Sequence, residues 1–101
     1  MAELRTISRV TVYASGSLEA VLLKQFLAMG STGYTVSACR GKGEHDTVDD
    51  PFANVSRVRI ELLVQPEVAE KILTYVDSPA LKSHPGAACM EMVQVVASER
   101  Y

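Results

Sequence analysis

The sequence predicts an α+β fold with its elements in the order βαββαβ. Three observations carry this. Residues 57–64, RVRIELLV, alternate between faces, with Val58, Ile60, Leu62 and Val64 on one side and Arg57, Arg59 and Glu61 on the other. Apolar residues recur at spacings of three and four after residue 17 and again after Pro66, the mark of amphipathic helices. Runs suited to strands flank both helical stretches.

The elements follow in chain order. Residues 6–14, TISRVTVYA, read as a strand, with Ser8, Val10 and Val12 on one face and Ile7, Thr11 and Tyr13 on the other. Ser15-Gly16-Ser17 ends that strand and offers N-caps to a helix carrying Leu18, Val21, Leu22, Phe26 and Met29. Gly30 is its natural stop, because glycine accepts a left-handed conformation. Residues 33–40, GYTVSACR, read as a second strand with Val36 and Ala38 on one face. Residues 41–56 have neither period and carry one Lys against Glu44, Asp46, Asp49 and Asp50. A loop that long in a small domain is usually functional or mobile. After the 57–64 strand, Pro66 suits the first turn of a helix that continues through Val68, Ala69, Ile72, Leu73 and Val76. Residues 78–89 form a second irregular loop, residues 90–97 a fourth strand, and residues 98–101 a short polar tail.

Each strand–helix–strand unit crosses over right-handed. The result is a ferredoxin-like, four-stranded antiparallel sheet with both helices on one face. The other face is expected to show Ile7, Tyr13 and Leu63 with Val93 and Val95 or their neighbours, and an apolar face bare in water implies a symmetric oligomer.

At 101 residues the chain is a single domain, and 48% hydrophobic with 22% charged residues is a globular composition. A net charge of −2 and the lack of a Lys/Arg block argue against nucleic acid, as does the lack of stacking aromatics in RVRIELLV. No apolar run approaches membrane length, so no direct membrane insertion is expected. No leader-like segment opens the sequence, and Cys39 and Cys89 are too few for a disulfide scaffold. A cytoplasmic domain with free thiols is the expectation.

Among local motifs, Gly41-Lys42-Gly43 is the sharpest. Glycines admit a close ligand, successive N–H groups cradle an anion, and Lys42 adds a point charge, although such a turn after a strand is more often only a turn. Pro85-Gly86-Ala87-Ala88 has the same two readings, with the plain connection favoured on spacing alone. His45, Asp46, Asp49 and Asp50 lack standard metal spacing, and no metal site is assigned. Cys39 is expected to be a small buried side chain. Cys89 is placed in a loop with no neighbouring cation visible. His84 is expected at the surface. No GxSxG elbow, Cys/His pair or paired carboxylates support an enzyme.

GYTVSACRGKGE, then a long loop, then RVRIELLV resembles the PII signal-transduction family. There a GxTV strand runs into a Gly-x-Gly turn, a long T-loop follows, and the next strand is KVKIEIVV-like. Residues 41–56 stand where the T-loop does and 78–89 where the B-loop does. The resemblance implies a homotrimer of ferredoxin-like subunits with an adenine nucleotide in each intersubunit cleft. Thr35, Glu61 and Leu63 match positions around adenine and ribose. Gly41 and Gly43 match phosphate-side glycines, Gly86, Ala87, Ala88 and Cys89 the B-loop cradle, and Arg100 a tail arginine. Lys42 and Arg100 are expected to hold the phosphates from opposite walls, with Arg100 close to where the B-loop enters the last strand.

The departures are specific. The long loop has no Tyr, so the family's nucleotidylylation site is absent. Glu44-His45 replaces an Arg-Gln pair, Cys89 stands where a phosphate-binding Lys would be, and no second arginine follows Arg100 in this sequence. Each lost charge-assisted contact is worth roughly 1.5–3 kcal/mol, which favours ADP or AMP over ATP and disfavours 2-oxoglutarate. The pattern is similar to the PII-like subgroup encoded with carboxysomes and bicarbonate transporters. It implies a non-enzymatic regulator without a cofactor, acting through loop 41–56 on a membrane transporter or carbon-fixation protein. Bicarbonate is implied near the nucleotide, at Lys42, Gly43 and Arg59. Residues 44–55 are expected to be poorly ordered without ligand, with Phe52 meeting a partner or a neighbouring subunit. Two further comparisons are weighed. A trimeric metal-binding protein resembling the divalent-cation tolerance family draws support only from His45 and the acidic loop. An acylphosphatase would need an early catalytic Arg, which Ser15-Gly16-Ser17 does not supply.

Overall fold

The computed structural model describes residues 2–41, 57–81 and 86–101. Its main elements are β1 (Arg5–Ser15), α1 (Glu19–Ala28), β2 (Thr35–Cys39), β3 (Arg57–Val64), α2 (Pro66–Val76) and β4 (Ala87–Val95). Short 3-10 turns occupy Gly16–Leu18, Pro79–Leu81 and Ser98–Arg100. The four strands form one antiparallel sheet in the order β2-β3-β1-β4. This is the expected ferredoxin-like plan.

Strand alternation and helical periodicity meet in one core. Val10, Val12 and Ala14 of β1 and Val58, Ile60, Leu62 and Val64 of β3 pack with Leu22 and Phe26 of α1 and Ala69 and Ile72 of α2. Phe26 is fully buried and meets Tyr75 edge to face, with ring centroids 6.4 Å apart. Ser15 caps the first 3-10 turn by accepting from the Ser17 N–H at 3.4 Å, so α1 starts one turn later than the serines suggest.

α1 ends in a Schellman arrangement. The Ser31 N–H donates to the Phe26 carbonyl at 3.1 Å and the Gly30 N–H to that of Leu27 at 3.2 Å. Gly30 has φ +116°, as its role as a stop requires. It also sits against α2: a Cβ there would lie 3.2 Å from Val68 Cγ2.

Several expectations change. β4 begins at Ala87, so Ala87, Ala88 and Cys89 are strand rather than loop. They pair with Tyr13, Val12 and Thr11, and this pairing with the end of β1 extends the strand despite its small side chains. Ile7 is not an exposed residue of the outer sheet face, the face away from the helices, since it is only 1% exposed. β1 has neighbours on both sides, and the C-terminal turn crosses this end of the sheet. Cys39 is half-buried rather than buried. Residues 42–56, which include Lys42, Gly43, His45 and Phe52, lie outside the described residues, as does His84. The expected disorder of 44–55 falls there too. Among the described residues no helix is long and apolar enough to cross a membrane.

Gly30→Ala should cost about 1–2 kcal/mol of stability, because alanine at this φ is strained and its methyl group presses on Val68. Gly33 has open space around it, so Gly33→Ala should stay within about 0.5 kcal/mol. Urea denaturation checks both, and equal midpoints for the two variants would contradict this account of the α1 stop.

Candidate functional site

The register of the sheet assembles the outer face row by row. Thr11 of β1 lies opposite Glu61 of β3 on one side and Cys89 of β4 on the other. Glu61 in turn lies opposite Thr35 of β2. One row across four strands therefore reads Cys89, Thr11, Glu61, Thr35. In the next row, Arg9 stands between Leu63 and Glu91.

A cavity of about 160 Å³ opens at the β2 side of these rows, and Arg9, Thr35, Glu61, Leu63, Tyr34 and Tyr101 are among its lining. Thr35, Glu61 and Leu63, matched above to positions around adenine and ribose, thus share one cavity. Leu63 offers it an apolar surface, Thr35 a hydroxyl and Glu61 a carboxylate. A carboxylate accepts from ribose hydroxyls or an amino group and repels phosphate. With the Arg9 guanidinium also in its lining, the cavity offers an apolar surface, hydrogen-bonding groups and charges of both signs.

Arg9 and Tyr101 are not among the residues that the sequence singles out. Arg9 alternates with Ile7 and Thr11 along β1, so a cation in the middle of the strand's outer face is the available signal. Its Nη2 and Nε donate to Glu91 Oε1 at 2.7 and 3.0 Å. The hydrogen bond to Glu91 raises the Arg9 pKa above its already high value, and the charge of Glu91 adds to this, with desolvation opposing it and the charges of Glu61 and Cys89 contributing less. Arg9 is thus a fixed cation at the cavity. It stands one row from Cys89, so the expectation that no cation neighbours Cys89 does not hold.

Tyr101 arrives on the C-terminal turn. Thr32 Oγ1 donates to the Arg100 carbonyl at 2.8 Å, and Gln65 Nε2 to the Tyr101 backbone oxygen at 3.3 Å. The sequence suggests only a polar tail, and nothing in its composition announces this return across the sheet end.

The remaining candidates lie elsewhere. Gly41 is exposed just past β2, at the end of the sheet where β1 finishes and β4 begins. A Cβ on Gly41 would meet nothing within 4 Å among the described residues. Gly86 differs: its Cβ would sit 2.5 Å from the Tyr13 carbonyl oxygen, so backbone proximity alone requires glycine. Alternation divides the segment that follows. Ala87 and Cys89 share the outer face with Tyr13 and Thr11, whereas Ala88 packs against the core. Only the backbone of Ala88 is available to an anion. Arg59 stands on the outer face opposite Tyr13 and Ser37, with its Nε 3.5 Å from Glu61 Oε1.

Arg100 is not near the start of β4, contrary to expectation. It follows the far end of that strand, about 26 Å from Ala87 at 3.3 Å per residue. Within one chain, therefore, the cavity lies at the β2 edge and Arg100 beyond the far end of β4, whereas Gly86 lies at the β4 edge, just before the strand that brings Cys89 level with Thr35, and Gly41 lies past the end of β2. No group of three or more His, Cys, Asp or Glu positioned for a metal occurs among the described residues.

Residues 7–100 match the family described as nitrogen regulatory protein P-II. The chain belongs to that family. A PII-like signaling protein from Thermus thermophilus is 29% identical, with a TM-score of 0.82 over 98% of both chains. The PII-like protein CPII from Thiomonas intermedia, in a structure bound to ADP and bicarbonate, is 19% identical, with a TM-score of 0.85 over 99% of this chain and 98% of that one. A structure of CPII bound to ADP, AMP and bicarbonate is 18% identical, with a TM-score of 0.83 over 99% and 97% of the two chains. At the identities of the CPII structures the likeness is one of fold. None of the curated proteins matches the chain.

Gly86→Ala should displace the start of β4 or destabilise the domain by about 1–3 kcal/mol, since rigid backbone receives the added carbon. Thermal unfolding of the variant checks this, and a melting curve superimposable on the parent's would contradict the crowding.

Proposed function

We propose that the protein is a trimeric, non-enzymatic PII-like sensor that binds ADP or AMP in clefts shared between neighbouring subunits. The observation that carries this is the cavity at Thr35, Glu61 and Leu63. At about 160 Å³ it is smaller than the roughly 300–1,000 Å³ of usual small-molecule pockets, so it suits part of a nucleotide. The Gly86–Cys89 segment suited to phosphates lies across the same sheet on the β4 edge, three strands from Thr35, and Gly41 lies past the end of β2. A second copy, turned so that its Gly86–Cys89 segment meets the first copy's cavity, would complete the site. Binding of ADP to CPII, a relative in fold, supports the ligand class.

In this arrangement the base and ribose lie against Leu63, Thr35 and Glu61. The phosphates meet backbone N–H groups at Gly41, Gly43 and Gly86 to Cys89, with Lys42 and Arg100 as cations from the two walls. Cys89 in place of a cation favours the diphosphate and monophosphate. Bicarbonate is assigned near the nucleotide by analogy with CPII, with Lys42, Gly43 and Arg59 as its contacts. Arg59 already faces Glu61, so an anion there would compete with that carboxylate. Ligand binding at the base of loop 41–56 would order the loop and so engage or release a partner, because the nucleotide favours the state it contacts. By the same resemblance the partner is a bicarbonate transporter or a carbon-fixation protein, and the protein acts in the cytoplasm.

Light scattering should give a mass three times the 11.0 kDa of one chain, and a monomer at micromolar concentration would contradict the shared site. Calorimetry should find ADP or AMP tighter than ATP, and Cys89→Lys should shift preference toward ATP. Tenfold tighter ATP binding by the parent would overturn the charge argument. Arg100→Ala should weaken ADP by roughly ten- to a hundredfold, with less effect on adenosine.

A further inference from the structure

We infer that Tyr101 is a ligand-contacting residue: its ring is a wall of the outer-face cavity on which the base stacks. This rests on the nucleotide reading above and names a residue that the family resemblance does not supply.

Three independent observations support it. Tyr101 lines the cavity that contains Leu63, Thr35 and Glu61, and it is half-buried there. It is held by backbone contacts. Gln65 Nε2 donates to its backbone oxygen, Thr32 Oγ1 donates to the preceding carbonyl, and its own N–H donates to the Ser98 carbonyl at 3.1 Å. These contacts fix the backbone of Tyr101 at the cavity, and none of them uses the ring hydroxyl. Finally, the turn that brings it is strained. Ala97 has φ 52° and ψ 51°, the one non-glycine residue at positive φ among the described residues. Such a conformation persists where surrounding contacts over-determine it, and it is found disproportionately at ligand clamps. Here it turns the chain out of the β4 direction and back across the sheet end to Thr32 and Gln65.

The chemistry fits one flat aromatic group. Leu63 gives an apolar patch, Glu61 and Arg9 give an acceptor and a donor at the rim, and the Tyr101 ring gives a π face. Aromatic stacking is indifferent to the phosphate count, so Tyr101 should contribute equally to ADP, AMP and adenosine. This separates it from Arg100 next to it, whose contribution depends on phosphate.

The test is calorimetry of ADP and adenosine binding to the parent, Tyr101→Ala and Tyr101→Phe, with thermal unfolding of each as a check on folding. Tyr101→Ala should weaken both ligands by the same factor, about 5- to 150-fold, and Tyr101→Phe should bind like the parent. The chain has no Trp, so tyrosine emission is also readable: ADP should quench it in the parent and quench it less in Tyr101→Phe. Tyr101→Ala binding both ligands as tightly as the parent would overturn the inference and leave the nucleotide reading standing. Weakening of ADP alone, or equal weakening in Tyr101→Phe, would also overturn it, by assigning the contact to phosphate or to the hydroxyl. A folded parent that binds no adenine nucleotide would remove the nucleotide reading, and this inference with it.

Discussion

Pairing of β1 along both of its edges is the constraint on which the rest of the structure depends. Eight residues of β1 pair with β3 and nine with β4, and the two registers together decide which side chains share a row. Because side chains alternate with a period of two, a shift of β1 by one residue against its neighbours would turn Val10 and Val12 out of the core and Arg9 and Thr11 into it. The buried valines therefore hold the register. The register in turn brings Glu61 level with Thr35 and Arg9 level with Leu63. The candidate site follows from core packing on the opposite side of the same sheet.

The two faces do different work. The helix side carries the apolar core over β1 and β3, with Met90 and Met92 of β4 left exposed on that side. The outer side is mixed: Ile7 and Thr11 are buried along the central strand, while Arg9 with Glu91 and Arg59 with Glu61 form exposed ion pairs across or along strands. Surface pairs of this kind contribute little to stability, but they fix where charge stands. They place a carboxylate at the cavity beside Thr35 and Leu63, while Arg57, Arg59 and Tyr13 stand toward the end of the sheet where Gly41 and Gly86 lie.

Much of the fold is legible in the sequence because local and global signals agree. RVRIELLV can only be a half-buried strand, and Gly30 and Pro66 mark helix ends through backbone chemistry that needs no tertiary context. The start of β4 is not legible, since Ala87, Ala88 and Cys89 have little strand preference of their own and are strand because β1 is there to pair with. Of the site, Thr35, Glu61 and Leu63 are reached by resemblance, and the register explains why they meet. Arg9 escapes a sequence reading because its importance lies in its cross-strand neighbours. Tyr101 escapes it because its position depends on a left-handed alanine, a conformation that an Ala-Ser pair does not advertise. Placing Arg100 beside the B-loop treats a two-ended strand as one region, and the length of β4 separates them.

In the proposed assembly one nucleotide is held by the β2-side cavity of one subunit and the Gly86–Cys89 segment of its neighbour. Amide chemical-shift mapping during an ADP titration of the assembled protein tests it most directly. Thr35, Glu61, Leu63 and Tyr101 should shift together with Gly86 to Cys89, with the same ADP dependence and one ADP per chain. Shifts confined to one of these two groups, or groups that saturate at different ADP concentrations, would contradict it.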